Sequence, residues 1–292
     1  MKKLFLIIFT FLILKLAVYS QDVSAKNIPS PYEPEILKSF ADSLFEEGFL
    51  TQAEGEYKRY LFSKQSPDIK DLNFQSSLIT LTDIYKTQNN TKGIHWLRQN
   101  FYDAATVPVK EKINFTQAAF IFKTRSADDF STFEDSFEED KNSFSRTFLD
   151  LIDTSVLVLN KDIGGLKNQC ARLSRTNLDY EKLNTLCLNY KTKSPGLALF
   201  FSTVIPGSGK WYTGSFGAFV SSFLAIGSFV AGTIITGIQT EWKSWQPYVF
   251  GTGGLVLYIA EIYGAYQSAK RYNAAQFRAL CEETDRIYEK EY

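Results

Sequence analysis

The sequence predicts an all-α protein built as a helical-hairpin solenoid followed by a C-terminal α-helical membrane hairpin. In the first part, residues 32–192, apolar side chains recur at three- and four-residue steps, the period of helices that pack on a core. After Pro195 the composition changes abruptly, and Phe216 to Ile238 runs for 23 residues without a charge. Such a run is long enough to cross a bilayer as a helix. We therefore expect a membrane domain over residues 194–275 and a tail over residues 276–292.

The N-terminus has the layout of a secretory signal peptide over residues 1–20. Lys2 and Lys3 precede an apolar run, and the small-residue site 18–20 precedes Gln21. The apolar run is short for a membrane span, although an uncleaved N-terminal anchor stays an alternative. In either form the domain that follows is exported, and residues 21–31 are the linker to it. With a composition rich in Lys, Asn, Phe and Ile, the chain is expected in a bacterial inner membrane, its helical domain on the periplasmic or extracytoplasmic side.

Composition limits the chemistry that the chain can perform. The formal net charge is zero, which argues against nucleic acid as a main partner. His95 is the only histidine, and no CxxC, GxSxG or HExxH pattern occurs, so we predict neither a metal, a cofactor nor catalytic residues. His95 falls in a repeat segment, where we expect it to be packed or half-buried.

One segment of the helical domain has a spacing that suits two closely packed helices. Small residues at three positions let the helices approach, and larger ones fill the seam; the packing positions are Ala41, Leu44, Gly48, Ala53 and Tyr57. This spacing resembles the tetratricopeptide repeat, which implies a stack of helical hairpins. A weaker copy follows at a shift of 40 residues, with Gln88 in place of the turn glycine: Leu81, Ile84, Gln88, Gly93, Leu97 and Phe101.

An aromatic stripe and two further hairpin helices complete this domain. The stripe comprises Phe130, Phe133, Phe137, Phe144 and Phe148, with acidic residues between them. We expect its rings to pack on the core and the acids to face solvent. The acids could alternatively bind calcium, but the spacing of a calcium loop is absent.

Helices are predicted at about residues 144–160, 163–173 and 180–190. Cys170 and Cys187 fall on the last two, where they form either a disulfide in an oxidising compartment or a pair of buried thiols.

The membrane domain opens with a turn that contains the letters GSGK. A phosphate-binding loop would need a glycine at Val204 and a hydroxyl at Trp211, so we do not expect a nucleotide. The glycine-rich, tyrosine-containing pattern instead resembles the entry of small bacterial two-transmembrane-helix domains and of a related domain of unknown function; its residues are Pro206, Gly207, Gly209, Tyr212, Gly214 and Gly217. The resemblance covers about residues 194–275 and implies membrane residence without a known reaction.

Three apolar segments are expected in this domain. Residues 195–206 form a re-entrant or short helix, and residues 216–238 and 247–269 form spans. Small-residue ladders at four-residue spacing suit helix packing in lipid, within the chain or in a homo-oligomer; they are Ser228/Gly232/Thr236 and Ala260/Gly264/Ser268. Either two or three crossings fit the sequence.

Two charged residues of this domain have competing interpretations. Glu261 is an ionisable residue inside a span, which faces either a structural hydroxyl partner or a proton or ligand site. Lys210 is expected to extend to a lipid phosphate.

The sequence thus favours a membrane-anchored, exported scaffold or adaptor that binds lipid and, through its helical domain, a protein partner. A small oligomeric transport component using Glu261 is the alternative, followed by a lipid or cell-wall enzyme.

Overall fold

The computed structural model describes residues 32–64 and 69–291, apart from the side chains of residues 139, 140 and 291. These ranges contain thirteen α-helices, one 3-10 helix and no strand, which confirms the all-α prediction. The predicted signal peptide and linker lie outside the described residues. The chain divides into two compact units at Gln117/Ala118, inside the fifth helix.

The first unit contains α1 Pro34–Glu46, α2 Leu50–Ser63, α3 Leu72–Thr87 and α4 Thr91–Phe101. Helix α5, Val107–Thr124, begins in the first unit and ends in the second. The second unit continues with α6 Ala127–Asp135, the 3-10 helix Glu138–Ser143, α7 Arg146–Leu159, α8 Ile163–Leu173 and α9 Asp179–Asn189. Its apolar part consists of α10 Pro195–Val204, α11 Ser208–Tyr212, α12 Phe216–Gln239 and the first half of α13 Gln246–Glu291.

Three of the helix-to-helix turns share one geometry. Gly48, Asn89 and Lys161 have left-handed φ angles of 82°, 52° and 56°, each one residue before the helix-starting N-cap. In each turn, the N-cap amide donates to a carbonyl five residues back, which closes the end of the first helix. The left-handed residue of the second hairpin is therefore Asn89. The 40-residue repeat spacing predicts this turn at Gln88, which is one residue too early, because Gln88 still has helical backbone angles.

The repeat positions of the first hairpin form its seam. Ala41, Ala53 and Tyr57 are buried, whereas Leu44 is half-buried. The Tyr57 hydroxyl donates to the Asp42 carboxylate across the hairpin at 2.7 Å.

In the second hairpin, Gly93 is required by the close approach of the helices, since a Cβ there would lie 2.4 Å from the Tyr85 ring. The expectation that His95 is packed is wrong: it is exposed on α4, while Ile94 and Leu97 occupy the inward positions.

The aromatic stripe lies in the core of the second unit. All five rings are buried, and successive rings meet at tilted or edge-on angles with centroids 5.1–5.9 Å apart. The rings come from α6, the 3-10 helix boundaries and α7 rather than from one helix. This core is extended by Tyr288 from the far end of α13, whose ring lies 5.7 Å from that of Phe122.

The last turns of α13 are fixed to this core by buried polar contacts. The Tyr288 and Ser155 hydroxyls are 2.8 Å apart, and Arg125 forms an ion pair with Asp285. Glu283 is buried and accepts from Lys182 at 2.7 Å and from Arg286. Residues 276–291, which the sequence analysis assigned to a tail, are thus a packed helix end.

Candidate functional site in the apolar helices

Within the described residues, two helices are long and apolar enough to cross a membrane: α12 and the first half of α13. At 1.5 Å per residue, the 24 residues of α12 extend about 36 Å, somewhat more than the hydrocarbon thickness of a bilayer. Only 6% of the most apolar window of α12, and 17% of that of α13, is buried within the chain. These helices therefore expose apolar surface that a core helix of a soluble protein would bury. Half-exposed aromatic side chains flank them, namely Trp211, Trp242, Trp245 and Tyr248.

The chain reverses direction before α12. The short helix α10 has 10 residues, or about 15 Å, and ends at Val204. The turn that follows returns the chain through α11 to the beginning of α10, where the Ser194 amide donates to the Tyr212 hydroxyl at 3.2 Å. The same tyrosine ring contacts Phe201 at a tilted angle, with centroids 5.4 Å apart, and the Lys193 ammonium lies 4.6 Å from its centroid. Residues 195–212 therefore form a closed helical hairpin whose two ends are adjacent.

Glycines allow this hairpin to close. Gly207 has a left-handed φ of 89°, and a Cβ there would lie 2.9 Å from the Phe219 carbonyl oxygen. Gly209 lies where α10, α11 and α13 meet: its Cβ would stand 2.0 Å from the Ala198 carbonyl oxygen and 2.7 Å from the Ala265 Cβ. Gly217, in contrast, has no atom within 4 Å of a Cβ position. The motif thus contains positions with a strict steric requirement and one without it.

Hydrogen bonds fix the hairpin to α13. The Asn273 side chain accepts from the Lys193 amide at 2.7 Å and donates to the Lys193 carbonyl at 2.8 Å. One to two turns earlier on α13, the Ser268 hydroxyl lies 2.7 Å from that of Thr213. The side chain of Asn273 therefore aligns the entry of α10 with the point where α13 leaves the apolar region.

A buried polar cluster joins α11, α12 and α13. Glu261 is 6% exposed, and its Oε2 accepts from Ser222 at 2.8 Å and from the Lys210 ammonium. Lys210 Nζ also lies 3.0 Å from Ser222 Oγ. Among the described residues, Oε1 of Glu261 has no hydrogen-bond partner. The cluster is about 14 Å from Lys270 along the α13 axis, well inside the apolar segment.

This arrangement corrects one expectation and gives Glu261 a hydroxyl partner of the expected kind. Lys210 does not extend outward to a lipid phosphate, because its ammonium is held by Glu261 and Ser222. An unpaired carboxylate in an apolar region is costly, so the cation is drawn to it. The pair could only be recognised in the fold, since its members are 51 residues apart.

The small-residue ladders contribute to packing within the chain. A Cβ on Gly232 would lie 3.0 Å from the Phe250 ring, and one on Gly264 would lie 3.5 Å from Lys210 Cε. Both glycines therefore accommodate larger side chains of neighbouring helices. A homo-oligomer through these faces stays a prediction.

No protein-family model, curated protein or solved structure matches this chain. The fold is that of an all-helical protein with many packed helices, and two of the described helices are long, apolar and mostly exposed.

Proposed function

We propose that this protein is a membrane-anchored, exported adaptor whose helical hairpins recruit a protein partner to the cell envelope. The observation that carries the proposal is α13, a single helix of 46 residues. Its first half provides exposed apolar surface, and its last turns are buried in the core of residues 118–190. Anchor and helical domain are thereby joined without a flexible linker at this point, which suits a protein that holds a partner near a membrane.

The packing supports two crossings. Because the end of α13 packs in the same core as α7 and α9, the end of α13 and these two helices must lie on the same side of a bilayer. The hairpin of α10 and α11 enters and leaves on that side, so α12 and α13 supply the crossings, and the loop 240–245 lies on the other side. This accounts for the shortness of α10, and it supports the resemblance to two-transmembrane-helix domains.

The direction of insertion follows from two opposing features. The predicted signal peptide exports the domain that follows it, which places the helical domain outside. Basic residues, however, are denser on the helical-domain side, at Lys191, Lys193, Lys270 and Arg271, than in the loop, which has Lys243 beside Glu241. We give the signal peptide priority, because the first inserted segment usually sets orientation.

Single-cysteine labelling tests both the topology and the export. In a chain whose native cysteines are replaced, we would introduce Leu178→Cys, Ala275→Cys and Lys243→Cys, all at exposed positions. An impermeant maleimide applied outside the inner membrane should label positions 178 and 275, and label position 243 only after the membrane is permeabilised.

The remaining labelling patterns separate the parts of the proposal. Labelling of position 243 alone would contradict export while retaining two crossings. Labelling of 178 but not 275 would contradict the two-crossing arrangement.

Exposed aromatic side chains on the first hairpin support protein binding. Phe40 on α1 and Phe49 at the start of α2 are each about half exposed, and exposed aromatic residues are enriched at protein interfaces. Photo-crosslinking in cells from position 47 should yield a discrete adduct that Phe40→Ser/Phe49→Ser removes. The matched control is Leu178→Ser, an exposed apolar residue of the second unit. An adduct unaffected by the double substitution would contradict binding through this hairpin.

Proton or ligand handling at Glu261 is a second candidate, supported by the partnerless Oε1 of this buried carboxylate. In proteoliposomes containing a pH-sensitive dye, this function predicts a proton flux that Glu261→Gln abolishes. The adaptor predicts equal dye traces for wild type and variant. The ion pair with Lys210 favours the adaptor, because it gives the carboxylate a structural contact between α11 and α13.

A further inference from the structure

Two cysteine side chains meet inside the helical part of the second unit. Cys170 on α8 and Cys187 on α9 are both fully buried, and their Sγ atoms lie 3.9 Å apart. The third cysteine, Cys281, lies on α13 in the electrostatic environment of Arg125 and Asp285. The fold thus selects one pair of the three that are possible among these thiols.

We propose that Cys170 and Cys187 are a disulfide-forming pair that cross-links α8 to α9 in the exported protein. This inference rests on the export part of the proposed function, since disulfides persist in oxidising compartments. The sulfur atoms would need to approach by about 2 Å to reach the bond length of about 2.05 Å. The two side chains already face each other from α8 and α9, which are adjacent helices.

The reaction requires an external disulfide as oxidant, either a protein disulfide or a small-molecule disulfide such as oxidised glutathione. One cysteine, as the thiolate, attacks a sulfur of the oxidant, forms a mixed disulfide and releases one thiolate. The second cysteine thiolate then attacks the first cysteine sulfur, forms the Cys170–Cys187 bond and releases the second thiolate. The protein loses two electrons and two protons, and the oxidant gains them as two thiols.

Burial determines when this reaction can occur. The adjacent Cys187 thiol and burial raise the pKa of Cys170 above its ordinary value, and burial also raises the pKa of Cys281 to about 11. Both sulfur atoms of the pair are fully buried, which keeps an external disulfide from reaching them, so the folded, reduced protein should oxidise slowly. We therefore expect the bond to form during folding after export, when α8 and α9 are still accessible to the oxidant.

The test uses the full chain in its native host. Cells are quenched with acid and alkylated under denaturing conditions, and the protein is digested and analysed by mass spectrometry. We expect a cross-linked Cys170–Cys187 peptide, lighter than the reduced pair by two hydrogen atoms, and an alkylated Cys281. Reduction should lower the melting temperature of the detergent-solubilised protein by roughly 6–12 °C, as estimated for a closed loop of this length. Cys281→Ser should leave both results unchanged, whereas Cys170→Ser should remove the cross-link.

Refolding of the purified protein in a glutathione redox buffer separates the pairing from the export. Thiols that are free in cells but pair selectively in this buffer would contradict export and uphold the pairing. Thiols that stay free in both experiments, with position 178 labelled from outside, would overturn the pairing and leave export intact. Because these readouts use the wild-type chain, they do not depend on the folding of a variant.

Discussion

The buried cluster of Lys210, Ser222 and Glu261 makes a strong prediction about the stability of the apolar helices. Lys210→Met removes the cation and leaves the Glu261 carboxylate, which is only 6% exposed, without its charged partner. Breaking a buried ion pair in this way typically destabilises a protein by about 3–5 kcal/mol. We take about 3 kcal/mol here, because Lys210 is partly exposed and Ser222 still donates to the carboxylate.

The double variant separates the charge from the packing. Lys210→Met/Glu261→Met replaces both partners by apolar side chains of similar length, and such exchanges are often neutral or stabilising. We expect the double variant to unfold within about 1 kcal/mol of the wild type. The second single variant, Glu261→Met, leaves the Lys210 ammonium without its partner and should not stabilise the protein. The coupling energy between the two positions should thus be at least about 2 kcal/mol, well above the error of a double-mutant cycle.

Thermal unfolding in detergent, followed by tryptophan fluorescence, measures this difference. For a unit of this size, a loss of 3 kcal/mol lowers the melting temperature by roughly 6–12 °C. Ser221→Ala, an exposed neighbour of the cluster, is the matched control and should change little. If the double variant is as unstable as the sum of both single variants, the ion pair is not coupled and the reasoning is refuted.

Three further predictions concern the steric, polar and acid-sensitive contacts of the second unit. Gly209→Ala should strongly reduce the yield of folded protein, since its Cβ would lie 2.0 Å from the Ala198 carbonyl oxygen. Gly217→Ala, whose Cβ would meet no atom within 4 Å, should be tolerated. Detergent gel filtration compares the two yields, and equal yields would contradict the packing. Asn273→Ala removes two backbone hydrogen bonds and should lower thermal stability by about 1–3 kcal/mol; an unchanged melting temperature would show that the entry of α10 is fixed by other contacts. Burial acts to raise the pKa of Glu283, but hydrogen bonds from its basic partners outweigh burial and hold that pKa below the ordinary value. The contribution of Glu283 to folding stability is therefore present at neutral pH and is lost as the pH falls through the folded-state pKa. Melting curves between pH 7 and 3 should therefore show a shallower acid loss in Glu283→Gln, and parallel curves would contradict this role.

Periodicity was sufficient for much of the helical part. The predicted helices at about 144–160, 163–173 and 180–190 differ by at most two residues at either end from α7, α8 and α9. Burial of the aromatic stripe also followed from its spacing. The position of the second turn was missed because the 40-residue shift points to Gln88, although Asn89 next to it adopts left-handed angles more readily.

The site in the apolar helices was only partly predictable. The glycine and tyrosine motif is local in sequence, so its turn could be recognised without a structure. The roles of its glycines could not, because Gly209 and Gly217 look alike in sequence and differ only in what surrounds them. Likewise, the sequence suggested a hydroxyl partner for Glu261 but directed Lys210 to the lipid, since the long-range pairing of these charges depends on how α11 returns against α13.

The sequence by itself determined the helical class and the two long apolar segments. These properties follow from composition and from periods of a few residues, which each segment carries independently of the others. Only the tertiary structure decided which charges and helix ends meet, including the return of α13 into the helical core that supports two crossings. Such contacts depend on non-local packing, in which steric fit and the burial of polar groups act between residues far apart in the chain.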